Sequence, residues 1–244
     1  VYKRQILLYV IAVVGFSGAN IFYDALLVIV SPRDSRHRIS ALGFALGYLG
    51  GGLLFLLNVL MTLKPALFGL ADAADGVRWS FVTVAIWWAV FSIPLFVWVE
   101  EPTPQSGRRG IDLAGTFSAL KQTASNLRQY RVAWLFLLAY WLYIDGVDTI
   151  VRMAVDYGLS IGLPSESLII ALLMVQFIGF PAALVFGRLG ERYGPRRGIW
   201  IAIWVYVGVT VYAYFMDSAV EMYILAGVIG LVQGGIQALS RSMF

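Results

Sequence analysis

The chain has 244 residues, 60% of them hydrophobic and only 13% charged, with a formal net charge of +4. A soluble domain is about 45–50% apolar and about 25% charged, so the mean hydropathy of +0.79 disfavours a cytosolic enzyme, a disordered tail or a nucleic-acid module. The basic balance is better explained by the positive-inside bias of membrane proteins. Cysteine is absent, so there is no disulfide, no thiolate metal site and no cysteine nucleophile.

A bilayer core needs about 20 apolar residues of helix. Seven runs meet that length: Ile6–Val30, Ile39–Leu63, Phe81–Val99, Val132–Val155, Leu168–Leu189, Ile199–Phe215 and Met222–Ser240. None alternates strictly with period two, which disfavours a transmembrane β-barrel. The expected fold class is therefore an all-α polytopic transmembrane bundle. Asp24, about 9 Å from the end of the first run at the helical rise, is expected to pair locally with Arg33 or Arg36. Asn20 in the same run is an uncharged hydrogen-bonding group at membrane depth. The single histidine, His37, falls in the polar first connection and is read as a solvated loop residue. No catalytic residue, metal ligand or cofactor is expected.

In the second run Gly43, Gly47 and Gly51 recur at steps of four, a flat stripe on which another helix can sit closely. The connections alternate in charge. Arg33, Arg36, Arg38, Arg108, Arg109, Lys121, Arg128, Arg131, Arg188, Arg192, Arg196, Arg197 and Arg241 lie on one side, which is 13 of the 18 basic residues. That side is assigned as cytoplasmic. The third connection divides the chain into residues 1–99 with three spans, a linker at 100–131, and residues 132–244 with four spans. Glu-Glu-Pro-Thr-Pro opens the linker as extended chain. Leu113, Phe117, Leu120, Ala124 and Leu127 then form one helical stripe, with Lys121, Arg128 and Arg131 available to lipid phosphates. It is read as a surface-lying bridge between membrane halves.

The fourth run contains Asp145, Asp148 and Arg152 on one helical face. At the helical rise Asp145 lies roughly 20 Å in and Asp148 about 24 Å in. A charge in hydrocarbon costs about 2.5–3.5 kcal/mol on insertion scales. These residues are therefore candidates for a substrate or proton pathway, or else an Asp148–Arg152 pair at the outer boundary. Gln176, Gln233 and Gln237 join them as candidates; Gln233, Gln237 and Arg241 share a face and could equally cement helix contacts. Gly179-Phe180-Pro181 should kink the fifth run.

The fifth connection reads Gly187-Arg-Leu-Gly-Glu191-Arg192-Tyr-Gly194-Pro-Arg196-Arg197. Its glycines permit a tight turn, and Glu191 with the arginines can form a charge cluster that is stable in one conformation and broken in another. This loop resembles the signature loop of the major facilitator superfamily, with Glu191 where aspartate is usual and Pro195 where a basic residue is common. The stretches Arg38–Gly52, Leu142–Met153 and Gly230–Phe244 resemble the vacuolar-effluxer-like branch, related to autophagy-linked amino-acid exporters. In that branch asparagine is expected at the position of Asp24. The resemblance implies a secondary transporter of which helices four to ten of twelve are present. Its partners would be the lipid bilayer, a small solute such as an amino acid with a co-transported proton, and the remaining helices. It further implies the plasma or inner membrane of a prokaryote, or a vacuolar membrane in a eukaryote. The alternatives are a seven-helix receptor or photoreceptor, or a structural membrane subunit. A retinal protein needs a Schiff-base lysine in its last helix, which Met222–Ser240 lacks.

Overall fold

The computed structural model describes residues 2–99 and 113–243. They form α1 (Tyr2–Val30), α2 (Arg36–Leu63), α3 (Ala73–Trp98), α4 (Leu113–Gln129), α5 (Arg131–Ser160), α6 (Ser165–Tyr193), α7 (Pro195–Ala213) and α8 (Ala219–Met243), with 3-10 turns at Arg33–Ser35 and Pro65–Phe68. No strand occurs among the described residues. Each expected span falls on one helix, with boundaries within about five residues except that α3 begins eight residues before Phe81. The helices run past the apolar stretches because polar ends such as Arg36-His37-Arg38 and Glu191-Arg192-Tyr193 continue them. Six helices, α1, α2, α3, α5, α6 and α8, are long and apolar enough to cross a bilayer. The seventh expected span, α7, is shorter and starts on Pro195-Arg196-Arg197. The stripe beginning at Leu113 is helical, as its spacing predicts. The expected extended linker, with Arg108 and Arg109, lies outside the described residues.

The chain divides into two compact units, Val1–Trp87 with Val155–Phe244, and Trp88–Ala154. The second unit comprises the end of α3, then α4 and most of α5. Along α5 the rings of Phe136, Tyr140 and Tyr143 follow one another at 6.4 and 5.5 Å.

In the first unit α8 is the central helix, packing on α6, α7 and α2, while α6 also packs on α2 and α7. Ile236, Ala238 and Leu239 on α8 are fully buried. Within a bilayer the lipid tails are as apolar as the side chains, so helices associate through close van der Waals packing and interhelical hydrogen bonds. Small residues supply the approach. The Tyr48 ring of α2 fills a slot between Gly179 of α6 and Gly234 of α8, where an added Cβ would lie 2.9 Å from ring carbons on either side. Phe186 of α6 lies against Gly235 in the same way. Of the expected stripe on α2, only Gly43 has such a neighbour; a Cβ at Gly47 or Gly51 meets nothing within 4 Å. The α2 face that makes the contacts is instead Ala41, Ala45, Tyr48 and Gly52. Helix α6 continues through Pro181.

Two connections have identifiable chemistry. Gly194, at φ +83°, turns α6 into α7, and Pro195 follows as the first residue of α7, the pairing that left-handed exit and proline entry favour. Ahead of α8, Glu221 accepts hydrogen bonds from the Asp217 and Ser218 amides at 3.0 and 3.2 Å, the Ser218 hydroxyl at 2.9 Å and the Tyr212 hydroxyl at 2.9 Å. The Glu221 amide donates back to Ser218 Oγ at 3.4 Å. Ser218-x-x-Glu221 is thus a capping box, further tied to α7.

Two outcomes follow for unfolding in detergent. An alanine Cβ at Gly76 would lie 2.6 Å from the Met61 carbonyl oxygen. Gly76→Ala should therefore cost about 1–3 kcal/mol through overpacking, whereas Gly47→Ala, facing open space, should be neutral or gain up to about 1 kcal/mol of helix propensity. Ser218→Ala should cost about 0.5–2 kcal/mol as a lost cap. Chemical-denaturant curves of the purified variants check both; equal effects at Gly76 and Gly47 would contradict the first.

Candidate functional site

Polar side chains on α2 occur at positions 37, 40 and 48, three to eight residues apart and so on nearby parts of one face. They meet α8, which runs in the opposite direction. At the end of α2 that bears Arg36 and Arg38, His37 Nδ1 lies 2.7 Å from Ser242 Oγ. Ser242 spends its one hydroxyl proton on the Leu239 carbonyl at 2.8 Å, so His37 Nδ1 is the donor in that pair. One turn along, Ser40 is fully buried and its hydroxyl donates to the Ala238 carbonyl at 2.8 Å. Further still, the Tyr48 hydroxyl donates to Gln237 Oε1 at 2.9 Å.

Arg241 of α8 is the centre of this seam. Its side chain is only 9% exposed. Nε donates to Ser40 Oγ at 3.0 Å and Nη2 to the Ser40 carbonyl at 3.0 Å. Nη1 lies 3.5 Å from the Asp24 carboxylate on α1. The guanidinium carbon stands 5.1 Å from the Tyr23 ring centroid and 4.6 Å from that of Phe44, within range of a cation–π interaction. Gly43 allows the approach, since a Cβ there would lie 3.1 Å from Nη2.

Several sequence expectations change here. Asp24 makes an ion pair with Arg241, 217 positions away, a partner that the expected local pairing with Arg33 or Arg36 does not include; the side chain of Arg33 lies outside the description. His37 is not a loop residue; it lies in the first turn of α2, half-buried against Ser242. Gln237 and Arg241 work in one seam, while Gln233 is buried with its Oε1 unpartnered among the described residues. Gln176 is half-buried, its Cβ beside Gly52 of α2. Asn20 is exposed on α1. Asp145, Asp148 and Arg152 are all exposed along α5, and no ion pair joins them among the described residues.

The fifth connection divides its residues by role. Gly187 and Gly190 are buried, Gly187 against Ala41 of α2 and Gly190 against Leu239 of α8 with His37 nearby. Glu191, Arg192, Arg196 and Arg197 are exposed, and Arg192 lies over the adjacent Tyr193 ring at 5.3 Å. No ion pair among the described residues closes the expected cluster of Glu191 with these arginines. Sequence reasoning misses Ser40, Tyr23, Phe44, Tyr48 and Ser242. Polar positions on α2 facing the amide-and-arginine face of α8 are the available signal for two of them, Ser40 and Tyr48.

The family described as "Vacuole effluxer Atg22 like" matches residues 1–244. The chain is 40% identical to the uncharacterized MFS-type transporter YxiO of Bacillus subtilis over 98% of this chain and 56% of that protein. It is 24% identical to Autophagy-related protein 22-1 of Penicillium rubens, over 85% of this chain and 38% of that protein. It is 25% identical to Autophagy-related protein 22 of Coccidioides immitis, over 91% and 40% respectively. The chain thus spans about half the length of the bacterial relative, and less of the fungal ones. No solved structure matches. With all of its residues inside that match, and a membrane-spanning helical bundle as its fold, the chain belongs to the Atg22-like vacuole effluxer family of integral membrane proteins.

Proposed function

We propose that this chain supplies the central part of a secondary active transporter that moves a small solute by alternating access, with no covalent chemistry. The observation that carries this reading is the seam itself. Residues 1–99 and 132–244 form the two moving halves, and the polar contacts of α1 and α2 with α8 cross between them at the end bearing the arginine-rich connections. Each is a hydrogen bond or ion pair that water can replace, so the seam suits an interface that closes in one state and opens in another. The glycine face of Gly187 and Gly190 acts as the bearing. Glu191, Arg192, Arg196 and Arg197, turned by Gly194, remain at the mouth, free to take partners in the other state.

Amino acids are the proposed solute, as the resemblance to autophagy-linked amino-acid exporters implies; the family's description as vacuole effluxers supports export of a solute and does not name one. Asp145, Asp148 and Arg152 are the proposed charged pathway residues of the second unit, and Asn20, Gln176, Gln233 and Gln237, taken separately, the proposed uncharged pathway residues of the first. Gln233 supports this assignment best: a buried amide oxygen without a partner costs free energy unless something meets it in another state. Proton coupling is placed on Asp145 or Asp148, the carboxylates at membrane depth.

Two measurements test the reading. In full-length protein reconstituted with an imposed proton gradient, Asp145→Asn should abolish gradient-driven uptake while leaving exchange of unlabelled for labelled solute; unchanged coupling would remove Asp145 from the proton path. These 244 residues contain no cysteine, so a single Ala45→Cys, at a position fully buried in α2, reports on the seam in full-length protein from which any cysteine outside them has been removed. Its reaction with an aqueous maleimide should rise severalfold during turnover, and a flat rate would argue against separation of the halves.

A further inference from the structure

The walls around Arg241 and the group they enclose come from different halves. Tyr23 and Asp24 belong to α1, and Ser40 and Phe44 to α2; the enclosed guanidinium comes from α8. Two aromatic faces, a carboxylate and a buried hydroxyl converging on one point are the chemistry of a receptor for an organic cation. Here a side chain of the same molecule fills it.

Two details indicate that the occupant is exchangeable. The Asp24 contact, at 3.5 Å, is longer than the 2.7–2.9 Å of a tight charge-assisted bond. Asp24 is also 53% exposed. Tyr23 is half-exposed as well, which leaves one wall of the cage reachable from outside. The other end of the grip is stronger: both bonds to Ser40 depend on α8 lying against α2. Separation of those helices would withdraw Arg241 and leave the cage intact on α1 and α2.

We infer that Tyr23, Asp24, Ser40 and Phe44 form a binding site for a guanidinium or primary ammonium group of a small solute, which Arg241 plugs in the closed state. This deepens the transporter reading and rests on it, since the plug leaves only if the halves part. Counted at the helical rise, Asp24 lies about 9 Å and Phe44 about 12 Å from the neighbouring helix ends, so the site stands at the mouth and acts as a point of entry or exit for a cationic solute. A plug tethered in place competes at high effective concentration, so the closed state binds such ligands weakly, in proportion to the small fraction with the cage open.

Agmatine, which carries both cationic groups and no carboxylate, is the probe. Its affinity for the purified full-length protein in detergent is measured by titration calorimetry, each substitution being made in that protein. Arg241→Met, which keeps an unbranched apolar stem between the rings, should bind agmatine about tenfold or more tighter than the unaltered chain. Adding Phe44→Ala to it should return the affinity to the unaltered level, and leucine should bind neither. Arg241→Lys retains a tethered cation and should stay weak, and Asp24→Asn alone should weaken the unaltered chain further, a comparison that holds even if Arg241→Met does not fold. Agmatine binding that is the same in all five chains would overturn the site. The readout needs no transport: tight binding by Arg241→Met without solute movement by the full-length protein would leave the site standing and sink the transporter reading, and transport without such binding would do the reverse.

Discussion

A guanidinium buried among membrane-spanning helices has to be neutralised where it stands, and in this chain that requirement ties three helices together. Leaving the buried guanidinium of Arg241 unmet would cost at least about 1–3 kcal/mol of desolvation. A hydrogen bond to a charged group contributes about 1.5–3 kcal/mol, so the pair it donates to Ser40 can offset that alone. Because Ser40 holds Arg241 on one side and the Ala238 carbonyl on the other, the register of α2 on α8 is fixed to within one residue. Tyr48 on Gln237 and His37 on Ser242 flank that contact, lying eight and three residues from Ser40 on α2, while their partners are next to Ala238 and Arg241 on α8.

The rest of the first unit is arranged so that this register is reachable. Hydrogen bonds between helix axes need the axes close, and the residues that bring them close are glycine and alanine: Gly179 and Gly234 around Tyr48, Gly187 against Ala41, Gly235 against Phe186. The large apolar side chains mostly point away. Ile21, Phe22 and Phe81 are among the most exposed residues, as expected where the surrounding medium is lipid. Inside and outside are therefore distinguished by size more than by polarity, the reverse of a soluble fold.

That inversion decides what could be seen in the sequence. The spans were legible because bilayer thickness sets a length that hydropathy reveals directly, and α4 was legible because its stripe repeats at three and four. The contacts were less so. A glycine stripe states that a helix can come close but not which one; Gly43, Gly47 and Gly51 stood out, yet the close approaches of α2 run through Ala41, Tyr48 and Gly52 on another face. Asp24 illustrates the larger difficulty. Proximity in sequence favoured a neighbouring arginine, whereas its partner is 217 residues on, and no periodicity encodes a pairing that depends on how two non-adjacent helices pack. His37 was taken for loop because a polar run between spans looks the same whether or not its residues already belong to the next helix.

The box of Ser218 and Glu221 sits at one end of α8 and the Arg241 seam at the other. The first is a set of hydrogen bonds to backbone amides within a single turn and to Tyr212, which no rearrangement between helices needs to break. The second depends wholly on neighbours. Helix α8 is thus a rod pinned at one end and held by removable contacts at the other. From Glu221 to Arg241 is about 30 Å at the helical rise, so a tilt of about 6° about the pinned end carries the guanidinium about 3 Å, past the reach of any hydrogen bond it now makes. Angular movement too small to disturb the packing around Glu221 is enough, at the far end of that lever, to switch every contact in the seam.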